Sequence, residues 1–174
     1  MTDPSAASEW VEMRLKGLIL DPTSDVPVLI LREEGGTVFL PIWIGVFEAN
    51  AIALALEGIQ TPRPMTHDLL QAVLGELGAE LVRIEIHALI EGTFHARLRL
   101  RRRAPAGAVD LLEVDSRPSD AVALALRTGA PIWIARSVLD GALSSQKASE
   151  AEDDRKLREW LENARPEDLG KYSM

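Results

Sequence analysis

Cysteine is absent from this chain of 174 residues, and histidine occurs only three times. Disulfides, thiolate metal ligands and cysteine nucleophiles are therefore excluded, and three imidazoles are too few for a His-rich zinc site. No stretch approaches the ~18 consecutive apolar residues of a membrane span. An excess of positive charge is missing too: 19 Lys and Arg against 27 Asp and Glu leave a net charge of −8. That balance argues against generic nucleic-acid binding through a basic surface. The opening MTDPSAASEW lacks the basic and apolar regions of a signal peptide. Together these absences predict a cytoplasmic chain that does not enter a membrane. There is also no phosphate-binding glycine loop, nucleophile elbow or HExxH motif.

What is present is ordinary in amount, with 47% hydrophobic and 26% charged residues, but unusual in arrangement. The word PIWI occurs at 41–44 and again at 131–134, near AIALAL at 51–56 and AVALAL at 121–126. In the first half the strand-like word precedes the helix-like one; in the second half it follows. A tandem duplication would keep one order, so two βα layers meeting in one core are predicted.

Around these words, period-2 alternation predicts strands at 10–20, 26–33, 37–45, 79–90, 94–102, 109–115 and 130–135. Val11, Met13, Leu15 and Ile19 should share the buried face of the first. The third should be buried on both faces. Breaker-free segments predict helices at 46–58, 66–78 and 116–129, each ending on glycine, with Thr66 capping the second and Ser116 or Ser119 the third. In the hairpin turning at Glu91-Gly92-Thr93, keeping both apolar sets inside sets Glu85 opposite Arg99 and His87 opposite Arg97. The fold class expected is α+β: one domain over 10–145 with a curved mixed β-sheet wrapped around helices. Residues 1–9 read as a disordered leader, and 146–174 as a linker and C-terminal helix carrying Leu157, Trp160 and Leu161.

Polar residues cluster at the three helix starts. Glu48 and Asn50 follow the first PIWI; Arg63, His67 and Asp68 lie in RPMTHD; Asp115 precedes RPSD, which holds Arg117, Ser119 and Asp120. An arginine held beside proline suits a phosphate or carboxylate, and helix N-termini offer free N–H groups to anions. Acids beside such a clamp suit Mg²⁺ or Mn²⁺. The chemistry expected is phosphodiester hydrolysis by a metal-activated water. Arg63, Arg117 and Ser119 would hold phosphate, and Glu48, Asp68 and Asp120 the divalent cation. His67 would act as general acid or base. All of this requires the clusters to converge. The hairpin also carries a basic stripe (Arg83, His95, Arg97, Arg99, Arg101, Arg102 and Arg103, with Glu85 and His87), readable as a phosphate track or as a solvated sheet face with cross-strand ion pairs.

The segments LPIWIG-x-x-EA-x-AIA (40–53), PRP-x-THDLL (62–70), RPSDA-x-ALA (117–125) and API-x-I (130–134) resemble, in that order, the bifunctional nuclease family of DNase/RNase-domain proteins. The resemblance runs from about Trp10 to Leu143. It implies the α+β domain described above, often in homo-oligomers, and nuclease activity on DNA and RNA; the leading expectation is a metal-dependent nuclease with little sequence specificity. Its motif positions are Glu48, Arg63, His67, Asp68, Arg117, Ser119 and Asp120. Two other readings stay open: a non-enzymatic module binding an anionic small molecule or a protein partner, and a purely structural role for RPMTHD and RPSD.

Overall fold

Seven strands form one open mixed sheet in the order β3-β2-β1-β7-β4-β5-β6. The computed structural model describes residues 9–36, 38–103 and 108–144. The elements are β1 (Trp10–Leu20), β2 (Pro27–Glu33), β3 (Phe39–Trp43), α1 (Val46–Leu56), α2 (Thr66–Glu76), β4 (Ala79–Ile90), β5 (Thr93–Arg103), β6 (Val109–Ser116), α3 (Pro118–Thr128) and β7 (Ile132–Ala135). A further helix, α4, occupies residues 136–144. The α+β class and the mixed sheet are as the sequence predicts. The expected leader and the C-terminal helix lie outside the described residues. The chain divides into two compact units between Leu139 and Asp140, and all seven strands and helices α1 to α3 belong to the first.

The sheet is mixed because of one crossover. Strand β7 pairs in parallel with β4 and antiparallel with β1, while all other pairings are antiparallel. The chain leaves edge strand β6, runs through α3 and returns at the centre of the sheet as β7. Helix α3 packs against β4 and β5, and α1 and α2 both pack against α3. Its residues Ala121, Val122, Ala123, Leu124 and Ala125 are all buried. Alanines let a helix approach a sheet closely, and the β-branched Ile132 and Ile134 of β7 are buried as well.

Several local expectations are corrected. Strand β3 is an edge strand, so only Leu40 and Ile42 are buried, while Phe39 and Trp43 face solvent. Its Pro41 is tolerated there because an edge strand leaves one row of N–H groups unpaired. A register shift between Leu15 and Gly17 in β1 breaks the alternation and leaves Ile19 exposed. Helix α2 has Met65, not Thr66, at its N-cap, and the Asp68 carboxylate accepts the Met65 backbone N–H at 2.9 Å. Helix α3 is capped at Arg117 with Pro118 in its first turn, and neither serine caps it: the Ser116 hydroxyl donates to the Arg117 carbonyl instead.

The β4–β5 hairpin turns on Glu91 and Gly92, both with positive φ (49° and 77°), between the paired Ile90 and Thr93. Two left-handed residues make the turn whose twist suits a two-residue hairpin. That turn sets His95 opposite Ala88, and a bulge between Ile86 and Ala88 then shifts the register, so Glu85, not His87, faces Arg97; a second bulge lies between Leu81 and Arg83. Glu85 is 1% exposed, on the face opposite Ile84 and Ile86. Burial opposes its charge, but hydrogen bonds from Arg97 (2.5 Å) and Arg83 (2.7 Å) outweigh that and hold its pKa below the ordinary glutamate value. Arg97 and Arg99 also reach Glu113, Arg101 reaches Glu80, and Arg102 reaches Asp110. The basic stripe is thus laced with acids, which favours a cross-strand ion-pair face over a phosphate track.

Candidate active site

Three helix N-termini meet where the sequence clusters its polar residues. Glu48 stands in the first turn of α1, His67 and Asp68 in the first turn of α2, and Arg117 and Asp120 at the start of α3. Arg117 donates from Nη1 to Glu48 Oε1 and from Nε to Asp120 Oδ2, both at 2.7 Å. His67 Nε2 lies 3.1 Å from the other Asp120 oxygen, Oδ1. Glu48, Arg117, Asp120 and His67 therefore form one unbroken polar chain linking three helices.

The protonation states follow from the partners. Burial opposes ionisation of Asp120, but hydrogen bonds from Arg117 and His67 outweigh it, so its pKa lies below the ordinary aspartate value. An ionised carboxylate has no proton to give, so the His67 Nε2 carries the hydrogen and the neutral ring's basic nitrogen is Nδ1. Hydrogen bonding to Asp120, then to Glu48, raises the Arg117 pKa further above its already high value. Two of its five N–H groups are used, which leaves three for an oxyanion.

Glu48 can fold back towards its own N-cap because residue 45 is glycine. A Cβ on Gly45 would collide with the Glu48 carboxylate.

The Arg117–Glu48 pair stands between two cavities of about 340 Å³ each. One is lined by Trp43, Gly45, Phe94, Pro118 and the buried Ser119; the other by Phe47, Asn50, Met65, His67 and Asp120. Both are lined by Glu48 and Arg117.

Asp68 does not join this chain. It pairs with Arg127 Nε at 2.5 Å, and that bond, with the Met65 N–H, holds its pKa below the ordinary value. Arg63 lines neither cavity, and its exposed guanidinium has no hydrogen-bond or ion-pair partner among the described residues. The described residues contain no group of three or more His, Asp or Glu able to hold a metal ion. Glu48 and Asp120 share Arg117, and a cation between them would have to displace its guanidinium. The three-carboxylate site for Mg²⁺ or Mn²⁺ expected from the sequence therefore does not fit the residues as placed.

Residues 29–147 match the bifunctional nuclease domain. The chain belongs to the bifunctional nuclease family. An uncharacterized protein of Mycobacterium tuberculosis is 41% identical over 167 residues, covering 91% of this chain and 97% of its own. Similarity extends to plants. Bifunctional nuclease 2 of Oryza sativa subsp. japonica is 26% identical over 136 residues, covering 76% of this chain and 41% of its own length. Bifunctional nuclease 1 of Arabidopsis thaliana is 26% identical over 109 residues, covering 62% of this chain and 33% of its own. No helix among the described residues is long and apolar enough to cross a membrane.

In this bifunctional nuclease domain, one site residue escaped sequence reasoning. Arg127, with a side chain only 8% exposed, bonds Asp68, the Ala51 carbonyl (3.1 Å) and the Ala123 carbonyl (2.8 Å), and so ties α1, α2 and α3 together. Gln71 of α2 returns a bond to the Arg127 carbonyl at 3.0 Å. The signal was present: Arg127 is the sole cation of α3, seven residues after Asp120 and thus on the same face.

Proposed function

We propose that this domain hydrolyses phosphodiester bonds in nucleic acid, with the polar chain Glu48–Arg117–Asp120–His67 as its machinery. The observation that carries this reading is the continuity of that chain between two cavities in a member of the bifunctional nuclease family. Arg117 would hold the phosphate with its three remaining N–H groups, kept in place by the two carboxylates that flank it. His67 Nδ1 would take a proton from the attacking water as the water oxygen bonds to phosphorus. The ester oxygen leaves and takes a proton from solvent. Asp120 would orient the ring and stabilise the imidazolium, as a buried acid does for a catalytic histidine. Glu48 would act as a positioning residue through Arg117. Ser119 would bind phosphate in the cavity it lines, and Arg63 a phosphate further along the strand.

The test is cleavage of RNA, single-stranded DNA and duplex DNA by the full chain in Mg²⁺, in Mn²⁺ and in EDTA. His67→Ala and a Glu48→Ala, Asp120→Ala double variant are prepared identically. A folded His67→Ala protein should lose about 10²–10⁴-fold in rate. Equal rates in all three preparations would sink the assignment. The EDTA arm reads metal dependence separately from the His67 role.

A further inference from the structure

The cleft has little positive charge for a nucleic-acid site. Glu48 and Asp120 already neutralise Arg117, and Arg63, two residues before the cavity-lining Met65, is the nearest cation in sequence without a partner among the described residues. What the cleft does offer is exposed aromatic surface on both sides of Arg117. Trp43 lines one cavity and is 54% exposed; Phe47, four residues later, lines the other and is 89% exposed. A phenylalanine so fully exposed in a first helical turn contributes nothing to the core. Trp43 is moreover fixed while exposed: its indole N–H donates to Asp21 Oδ2 at 2.9 Å, and the Thr23 hydroxyl and backbone N–H donate to Asp21 Oδ1. A ring held by its edge keeps its faces available and loses little conformational freedom on binding.

Resting on the reading of this cleft as a nucleic-acid site, we propose that Trp43 and Phe47 are base-stacking residues. They flank the phosphate held by Arg117, and the strand that crosses the site is unpaired. A base within a duplex hides its ring faces in the stack, whereas an unpaired base can cover an aromatic side chain whatever its identity. Stacking supplies the affinity that this acidic domain cannot draw from phosphate contacts. It also accords with little sequence specificity, because every base has a π-face.

The experiment measures binding of a short oligothymidylate, an abasic strand of equal length and a duplex, by fluorescence anisotropy. The full chain carries His67→Ala to stop turnover. The single strand should bind at least about 5-fold more tightly than the abasic strand. Trp43→Leu and Phe47→Ser should each remove about 5-fold or more of that affinity, with abasic binding unchanged. The salt dependence should be shallow, with a log–log slope no steeper than about −1.5, as befits one or two phosphate contacts. Equal binding of the thymidylate and abasic strands overturns the proposal. So does a preference for duplex, or a change in oligomeric state with no loss of binding, which would make this corner a contact between copies. Cleavage that depends on His67 while the two strands bind equally would remove the stacking and leave the hydrolase. Binding that depends on Trp43 and Phe47 without cleavage would do the reverse.

Discussion

The two PIWI words fold into strands of the same sheet and have opposite fates. In the second, β7 is central, α3 beside it is buried along most of its length, and Trp133 lies opposite Glu85 under the Arg83 guanidinium (5.9 Å to the ring). In the first, β3 is the sheet edge, α1 buries only Ile52 completely, and Trp43 faces solvent. The same letters make a strand in both places, since β-branching and alternation act within a strand. Burial depends on how many neighbours the topology supplies. The central copy is scaffold, and the edge copy is free to carry surface chemistry.

The largest expected effect tests the scaffold. Leu124→Ala, in the buried helix, should cost about 2–5 kcal/mol in denaturant unfolding. Leu56→Ala, at the exposed end of the matching helix, should cost under about 1 kcal/mol. Comparable losses would erase the distinction between the copies.

Arg127→Met comes next, because it cuts the tie between α2 and the two helices of the PIWI halves at one point. It should lower stability by about 1–3 kcal/mol and slow cleavage through displacement of α2. Lost stability with an unchanged rate would show that α2 keeps His67 in position unaided.

Residue 45 offers a sharper comparison, since the first word is followed by Gly45 and the second by Ala135. Gly45→Ala should push Glu48 off Arg117 and slow cleavage by roughly tenfold or more, as small misplacements do, while the unfolding midpoint stays where it is. A change in midpoint alone would assign Gly45 to the fold.

Acid titration separates the copies by charge. Glu85, beside Trp133, has a lowered folded pKa, so the unfolded chain binds its proton first as pH falls. Its stabilisation is whole above the ordinary glutamate value of about 4.3 and is lost as pH drops through the lower folded value. Glu85→Gln should therefore flatten that acid limb, read by unfolding across about pH 2–6. An unchanged limb would place the acid sensitivity elsewhere.

The smallest effect falls on the exposed tryptophan. Asp21→Ala, in a chain whose other three tryptophans are phenylalanine, should lower Trp43 fluorescence anisotropy without moving the melting point. Constant anisotropy would mean that the indole does not depend on Asp21 for its orientation.

Much of the site was legible in the sequence. Residues Glu48, His67, Arg117 and Asp120 were marked by their positions at helix starts, and the fold does bring them together. Asp68 was marked by the same signal but turns to Arg127, whose role depends on a neighbouring helix. Exposed aromatics escaped notice because PIWIGVF reads as core when edge and centre cannot be told apart.

Periodicity, breakers and capping chemistry act over a few residues, so the sequence by itself determined the strands, the helices and the type of residue at each helix start. Strand order, the hairpin bulges and the partner of each arginine depend on contacts between segments dozens of residues apart. Only the tertiary structure could decide those, because a guanidinium has no preference among carboxylates until the fold sets one within reach.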